Sequence, residues 1–217
     1  MGFYKEDKRY IIRIMKLNIP KDTETLIIED FLPRRDLLKL QYAVLGEDEE
    51  RPGRLPLYYQ LDTLVPGYAP SPSILPKLYA IEAIKGLKPR QGKRPFFAHV
   101  YYNQGAVYPE NEELFKHILS LINYKTLLRV KTNVSTSTDT PQVTGWHQDL
   151  ELCDEGNKYT IVLYINSTGG GTLLETGEFF ENVENRLVAF RSNMHHTGVT
   201  HTDPHVGRAL ININIEV

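Results

Sequence analysis

The sequence predicts a mostly β protein with flanking helices (α+β), in which the helices come first and the β core follows. Two observations predict this class. From residue 127 to the C-terminus, short segments rich in strand formers follow one another with turn signals between them, a spacing typical of a sandwich or barrel. Before residue 127, apolar residues recur at helical spacing in several segments.

The first half of the chain is predicted to combine helices and strands around a loop-rich stretch. That stretch, residues 46–78, is interrupted repeatedly by Gly and Pro, which break regular structure. The predicted elements, in chain order, are strand 24–32, which runs into a turn at Pro33, helix 34–45, helix 75–87, strand 96–102 and helix 110–123.

The second half is predicted to form the β core. Residues 135–145 are mostly Ser, Thr, Pro and Gly, which predicts a loop after the first core strand. The predicted core strands are 127–134, 159–166, 172–174, 186–190 and 208–217.

Length and composition fit a single domain. The chain has 217 residues, of which 41% are hydrophobic, enough for a substantial core. We therefore expect one domain over 1–217, with an N-terminal extension (1–23), a helical and strand support region (24–126) and a β core (127–217).

The charge balance and the single cysteine exclude some classes of protein. The formal net charge of −2 does not require a nucleic acid or membrane partner. No stretch approaches the roughly 20 apolar residues that span a bilayer. Cys153 is the only cysteine, so no intrachain disulfide can form. These features predict a cytoplasmic protein.

A His-x-Asp triplet, His147 and Asp149, is the leading candidate for metal binding. On a strand, residues i and i+2 point to the same face, so both side chains could hold one ion. Two histidines and one carboxylate form the facial triad of non-haem Fe(II) oxygenases, which leaves positions open for other ligands. The third ligand is ambiguous at this stage, because four later histidines crowd one segment: His195, His196, His201 and His205. The alternative is a surface His beside an Asp, followed by a polar loop.

Arg208 opens the last predicted strand, whose two faces differ. One face consists of Ala209, Ile211, Ile213 and Ile215. The other face consists of Arg208, Leu210, Asn212 and Asn214. The polar face either meets water or lines a barrel interior that binds an anion, since a guanidinium can hold a carboxylate through two parallel hydrogen bonds.

Taken in order, the motifs of the C-terminal half resemble a known family. They are LRVKTN (128–133), GWHQD (145–149), LYIN (163–166), GGGT (169–172), ENRLVAF (184–190), HTG (196–198) and RALIN (208–212). This series resembles the prolyl 4-hydroxylase-like branch of the 2-oxoglutarate/Fe(II)-dependent oxygenases, in particular small members common in bacteriophage genomes. The resemblance covers 127–217 well and 24–126 loosely.

The resemblance implies a double-stranded β-helix, a jelly roll of the cupin type. It implies that His147, Asp149 and His196 are the metal ligands, since the family places the last ligand just before a small residue and Gly, here Thr197-Gly198.

The resemblance also implies a cosubstrate site. Arg208 matches the residue that pairs with the distal carboxylate of 2-oxoglutarate. Tyr164 matches a tyrosine that often donates to the same carboxylate, and Asn212 matches a polar position near the cosubstrate. Asn133 is a further candidate, although the family often has a tyrosine near this position.

The activity that the resemblance implies uses Fe(II), 2-oxoglutarate and O₂ to hydroxylate an unactivated C–H bond, with release of succinate and CO₂. Residues 135–145 would form a lid. Peptidyl proline is the leading substrate, and a free amino acid or another small molecule is the alternative. For a phage protein the location would be the host cytoplasm.

Two rival interpretations remain. A cupin-like metal-binding barrel without catalysis would keep the metal ligands but would not need Arg208. A nucleic-acid-modifying oxygenase could use a basic run to meet phosphates, although no aromatic residues interleave there. The basic run consists of Lys85, Lys88, Arg90, Lys93 and Arg94.

Overall fold

The computed structural model describes residues 16–46, 55–60, 70–90, 95–107, 112–149 and 157–217. The helices of this part of the chain are α1 (Arg34–Val44), α2 (Leu75–Ile84) and α3 (Glu112–Ser120). Its strands are β1 (Thr25–Ile28), β2 (Tyr58–Gln60), β3 (Phe96–Asn103), β4 (Ala106–Val107), β5 (Thr126–Ser135), β6 (Lys158–Tyr164), β7 (Gly171–Leu174), β8 (Phe179–Glu181), β9 (Leu187–Arg191), β10 (His196–Val199) and β11 (Arg208–Glu216).

The strands form a large and a small antiparallel sheet. The large sheet has the order β1-β9-β6-β11-β5-β3-β2, with β4 paired to β3. The small sheet has the order β10-β7-β8. Residues 143–147 extend the small sheet, because isolated bridges join Val143 to Val199 and His147 to His196.

From β5 to β11 the chain passes between the two sheets in the pattern of a jelly roll. Strands β5, β6, β9 and β11 lie side by side in the large sheet, whereas 143–147, β7, β8 and β10 belong to the small sheet. This arrangement is a double-stranded β-helix. It confirms the predicted class, a mostly β protein with flanking helices.

The helices α1 and α3 cover the outer face of the large sheet. Leu37, Leu40 and Val44 recur at helical spacing on α1 and are buried there. Sheet residues in the same core cluster include Ala209, Ile211, Ile213 and Ile215, the apolar face predicted for the last strand. Each fully buried aliphatic side chain contributes about 1.5–3 kcal/mol to folding.

The space between the two sheets has an apolar part and a polar part. Its apolar part is a cluster of Val162, Tyr164, Leu174, Phe180, Val188, Phe190 and Leu210. Its polar part holds the candidate ligands described below. Because strand residues alternate, the central strands of the large sheet pack against the helices with one face and line this interior with the other.

Helix α2 packs on the outer face of the small sheet. Leu78 forms a separate buried cluster with Trp146, Leu173 and Val199. Trp146 immediately precedes His147, so its side chain points outward while His147 points inward. The indole Nε1 of Trp146 donates to Glu82 Oε1 at 2.7 Å, which ties α2 to the strand that carries the first ligand.

Four short strands were not predicted from local pattern: β2, β4, β8 and β10. Strand β2 lies inside the Gly- and Pro-rich stretch and is defined by its pairing with β3, Tyr58 opposite Ala98. Helix α3 is shorter than the predicted 110–123. Leu121 and Ile122 keep the apolar spacing beyond its end because they are buried in the core, not because the helix continues.

Two predicted irregular segments are better anchored than expected. Residues 16–23, assigned to an N-terminal extension, reach the core through Ile19, which is buried. The hydroxyl of Tyr159 lies 3.0 Å from the carbonyls of Pro20 and Thr23. Residues 1–15 lie outside the described part of the chain.

Residues 135–145, predicted as a lid, are held by β10 and the turn after it. The backbone nitrogen of Thr144 donates to the carbonyl of Gly198 at 2.8 Å, and that of Thr138 to the carbonyl of His201 at 2.9 Å. These backbone groups are satisfied by the barrel itself in this conformation, and a lid role for 135–145 stays a prediction.

The longest described helix, α1, has 11 residues. None of the described helices combines the length and apolarity needed to span a bilayer.

Candidate metal centre

His147 and His196 stand opposite each other on neighbouring strand segments of the small sheet. The backbone nitrogen of His147 donates to the His196 carbonyl at 3.0 Å, and that of His196 to the His147 carbonyl at 2.9 Å. Their ring centroids are 4.5 Å apart. The sheet pairing, rather than the rings alone, therefore brings the two imidazoles together.

Asp149 completes a three-residue group. Asp149 Oδ1 lies 3.8 Å from His147 Nε2, and Asp149 Oδ2 lies 3.6 Å from His196 Nε2. One ligand atom from each residue falls within 4.8 Å of the others. Among the residues that the structure describes, this is the group of His, Cys, Asp and Glu side chains that could hold a metal ion.

Backbone carbonyls hold both imidazoles in the orientation that a metal needs. His147 Nδ1 lies 3.0 Å from the Gly145 carbonyl, and His196 Nδ1 lies 3.1 Å from the Met194 carbonyl. With the proton on Nδ1 donated to the carbonyl, Nε2 keeps its lone pair and faces Asp149.

The carboxylate of Asp149 is held by side chains of the large sheet. Arg129 on β5 donates to Asp149 Oδ1 at 2.8 Å. Asn212 on β11 donates to Asp149 Oδ2 at 2.7 Å. Asn214 lies two residues further along β11. Its Oδ1 accepts a hydrogen bond from Arg129 Nε at 2.9 Å. These contacts fix the direction of both carboxylate oxygens.

The protonation states of Asp149 and His147 suit metal binding. Burial alone would raise the pKa of Asp149, but the charges of Arg129 and His196 outweigh it and hold the pKa well below its usual range. Burial, reinforced by His196, lowers the pKa of His147 to about 3. At neutral pH the carboxyl is therefore ionised and the His147 imidazole is neutral, as metal ligands must be.

Arg208 lies in a cavity of about 90 Å³ that also contains two of the candidate ligands. The residues that line it include Phe96, Lys131, Asn133, His147, Thr172, His196, Arg208 and Asn212. Arg208 is buried, and its Nη2 donates to the Gly171 carbonyl at 2.9 Å. Its Nε is buried without a hydrogen-bond partner, so one face of the guanidinium fork lacks an acceptor.

Gly198 makes room beside Arg208. A Cβ at this position would lie 2.9 Å from Thr144 Oγ1 and 3.6 Å from Arg208 Nη1. A larger residue would crowd the strand segment that carries His147 and the approach to the guanidinium.

Tyr164 is fully buried beside Arg208. Its ring centroid is 5.7 Å from Arg208 Cζ, and its hydroxyl donates to Thr172 Oγ1 at 2.8 Å. The hydroxyl is therefore engaged within the protein, and Tyr164 supports the guanidinium and Thr172.

The other two proposed cosubstrate residues occupy different places. Asn133 lines the cavity, and its Oδ1 is buried without a hydrogen-bond partner. Asn212 also lines the cavity, but its amide nitrogen is bound to the candidate ligand Asp149. Asn212 thus lies at the metal group, four residues along β11 from Arg208.

The neighbouring histidines face elsewhere. His195 Nδ1 lies 2.8 Å from Glu175 Oε2, a contact on the other side of β10 from the metal group. His201 is buried with neither ring nitrogen partnered, and His205 is exposed. None of the three belongs to the metal-binding group found in the described ranges.

Lys85, Lys88 and Arg90 of the basic run lie in the described part of the chain. The backbone of Lys88 forms an isolated β-bridge with that of Gln142. Arg90 Nη1 donates to the Thr144 carbonyl at 2.9 Å. Lys85 is exposed. Lys93 and Arg94 lie outside the described residues, as does Cys153.

Arg129 and Lys131 were not among the predicted site residues, and Asn214 was predicted only as part of the polar face of the last strand. The signal was present, because Arg129, Lys131 and Asn133 alternate with Val130 and Thr132 just as the polar and apolar residues of β11 alternate. Only the pairing of β5 with β11 shows that this polar face turns toward the ligands.

The residues present fit Fe(II) and 2-oxoglutarate. Two imidazoles and one carboxylate, without a thiolate, match the ligand preference of non-haem Fe(II). A carboxylate would satisfy the orphan Nε of Arg208, which no acceptor of the described residues reaches.

Comparison with known proteins connects this fold to oxygenases. No family model matches the sequence, and no curated protein matches it. A 2OG-Fe(II) oxygenase family oxidoreductase from Burkholderia pseudomallei superposes with a TM-score of 0.53 at 11% identity, covering 89% of this chain and 86% of the other. A Pseudomonas putida prolyl-4-hydroxylase gives a TM-score of 0.45 at 14% identity, covering 90% and 93%.

A third similar structure is the viral collagen prolyl hydroxylase from Paramecium Bursaria Chlorella virus-1 in its 2OG complex. It has a TM-score of 0.45 at 13% identity and covers 90% of this chain and 97% of that one. At these identities the first superposition establishes the fold. The chain has a double-stranded β-helix similar to that of the Burkholderia pseudomallei oxidoreductase, with a His-Asp-His group inside the barrel.

Proposed function

We propose that this protein is an Fe(II)- and 2-oxoglutarate-dependent dioxygenase that hydroxylates an unactivated C–H bond, with peptidyl proline as the leading substrate. One observation carries the proposal. The His147, Asp149 and His196 group shares a cavity with Arg208, whose guanidinium is buried with an unsatisfied Nε.

The metal would be held by His147 Nε2, His196 Nε2 and a carboxylate oxygen of Asp149. When bound, Fe(II) and 2-oxoglutarate supply the O₂ activation, and the overall reaction gives succinate, CO₂ and a hydroxylated product. The protein's part is to hold these groups in place. Arg129 and Asn212 fix the carboxylate of Asp149, and the carbonyls of Gly145 and Met194 fix the two rings.

Arg208 would orient the cosubstrate. Its position in the cavity allows a paired contact with the distal carboxylate, while Gly171 and Thr172 hold its far side. Tyr164 and Leu210 are part of the apolar cluster that closes the barrel behind it, which keeps bulk water from the charged contact.

The non-catalytic cupin-like barrel is the second candidate. It would need the three ligands alone, and a buried arginine with an orphan donor would only cost stability. Arg208 is therefore the residue that favours the oxygenase. Peptidyl proline as substrate and the cytoplasm as location rest on the sequence resemblance and stay predictions.

Anaerobic titration with Fe(II) and 2-oxoglutarate tests the proposal directly. We expect the weak visible charge-transfer band of the chelated complex in the wild type. His147→Ala and Asp149→Ala should both lose it, because each removes a ligand. If both variants kept the band at wild-type strength, the ligand assignment would be wrong.

A substrate screen then follows the chemistry. Succinate formation should be measured with proline-containing peptides, free amino acids and oligonucleotides. Stimulation by peptides over the uncoupled rate supports a prolyl hydroxylase, and stimulation only by oligonucleotides would replace it with the nucleic-acid alternative.

A further inference from the structure

Lys131 is a second cation in the metal cavity, and the proposed reaction leaves it without a partner. It lines the same cavity as His147, His196 and Arg208. It is half-buried, and no hydrogen bond or ion pair joins it to another described residue. An ammonium that lines a cavity in this way can hold an anion there.

The sheet register places Lys131 at the metal end of the cavity. Lys131 stands directly opposite Asn212, the residue that holds Asp149. Arg208 lies four residues along β11 from Asn212, about 13 Å at the rise of an extended strand, and stands opposite Ser135. The backbones of Arg208 and Lys131 therefore lie at opposite ends of the cavity, and Lys131 is at the end with the metal ligands.

Counting charges shows that the cosubstrate does not neutralise Lys131. The dianion of 2-oxoglutarate together with Asp149 balances Fe(II) and Arg208. Arg129 and Lys131 then remain as excess positive charge within the described part of the cavity. Burial and the nearby Arg129 lower the pKa of Lys131 to about 8, and the charge of Asp149 opposes this shift.

We propose that Lys131 binds a carboxylate of the primary substrate, so that this enzyme hydroxylates an anionic substrate beside its acid group. The inference rests on the proposed function. The carboxylate could come from two sources, a free α-carboxylate or an acidic side chain next to the reacting residue. In either case the ammonium would both attract the substrate and set the distance of its C–H bond from the metal.

Matched carboxylate and amide probes test this on the anaerobic Fe(II)–2-oxoglutarate complex. L-Proline against L-prolinamide examines the free α-carboxylate. A short blocked peptide with Glu next to Pro, against the same peptide with Gln, examines the acidic side chain. Binding is measured from the change in the visible band and by calorimetry, without turnover.

We expect at least one carboxylate probe to bind the wild type about tenfold or more tightly than its amide, the size of a charge-assisted contact. Lys131→Met should abolish the preference, and Lys131→Arg should keep part of it. The control Lys77→Met, an exposed lysine on α2, should behave as the wild type.

The dissociation constant of 2-oxoglutarate decides what the loss means. If the dissociation constant of 2-oxoglutarate in Lys131→Met stays within about threefold of the wild-type value while the carboxylate preference disappears, Lys131 binds the substrate. If Lys131→Met weakens 2-oxoglutarate as much as Arg208→Ala does, Lys131 clamps the cosubstrate and the inference is overturned. It is equally overturned if no carboxylate probe outbinds its amide in the wild type. Failure of the proposed function is distinct, because the wild type would then show no band before any probe is added.

Discussion

Arg208 is the residue on which the choice between an oxygenase and a passive barrel depends. Its guanidinium is buried, held on one side by Gly171 and open at Nε. A charge-assisted contact with a carboxylate contributes about 1.5–3 kcal/mol. Arg208→Ala should therefore weaken 2-oxoglutarate binding by roughly 10- to 150-fold.

The conservative variant and the metal provide the controls for Arg208. Arg208→Lys should recover only part of the affinity, because an ammonium cannot reproduce the planar fork. Iron affinity should change far less, since Arg208 is not a ligand. An Arg208→Ala protein that folds, binds iron and keeps wild-type affinity for 2-oxoglutarate would remove the clamp and favour the non-catalytic barrel.

At the scale of the element, strand β10 decides which of two adjacent histidines meets the metal. The bridge between His147 and His196 turns the His196 ring inward, whereas His195 faces Glu175. We expect His196→Ala to abolish iron binding and His195→Ala to preserve it. Iron titrations of the two variants measure this, and the reverse result would mean that the strand register is off by one residue.

Helix α2 is tied to the ligand strand through Glu82 and Trp146. Burial raises the pKa of Glu82, and the bond from Trp146 opposes this in part. A carboxyl with a raised pKa binds more protons in the folded state, so its contribution to stability is present below its unfolded pKa and is lost as pH rises through the folded value. Glu82→Gln keeps an acceptor for the indole and removes this pH dependence.

Urea unfolding of the metal-free protein at pH 5 and pH 7 measures the effect of Glu82. Trp146 is the only tryptophan of the chain, so its fluorescence reports on this contact. Glu82→Gln should gain stability relative to the wild type as the pH rises. Glu82→Leu should cost about 1–3 kcal/mol at both pH values, because it leaves the buried indole N–H unpaired. A Glu82→Gln variant that parallels the wild type at both pH values would show that the carboxyl titrates normally.

At the scale of the whole molecule, the metal group joins strands that are far apart in sequence. The two histidine ligands come from neighbouring segments of the small sheet, and Asp149 is held by β5 and β11 of the large sheet. A ligand that binds only the folded state stabilises it by about 2.7 kcal/mol at 100 times its dissociation constant. For a protein of this size that corresponds to a rise in Tm of about 5–11 °C.

Thermal unfolding under anaerobic conditions should show this rise with Fe(II) and 2-oxoglutarate. His196→Ala should show no rise, because the site is broken, while Lys77→Met serves as a surface control with the wild-type response. A full rise in His196→Ala would mean that the stabilising site lies elsewhere in the protein.

Local sequence pattern was sufficient where the signal is contained within one strand. The alternation along β11 separated the face that packs against helices from the face that carries Arg208 and Asn212, because side chains on a strand alternate with a period of two. The same rule put His147 and Asp149 on one face. The succession of short strands and turns predicted the mostly β class for the same local reason.

Tertiary structure decided what depends on strand pairing. Only the bridge between His147 and His196 shows which later histidine completes the group, and only the register of β5 against β11 brings Arg129 and Lys131 to the cavity. Pairing also joins Val143 and Thr144, inside the predicted loop 135–145, to the small sheet. These contacts join residues widely separated in the chain, so no local periodicity records them. The sequence by itself determined which residue types could bind a metal and an anion, and the folded barrel determined which of them meet.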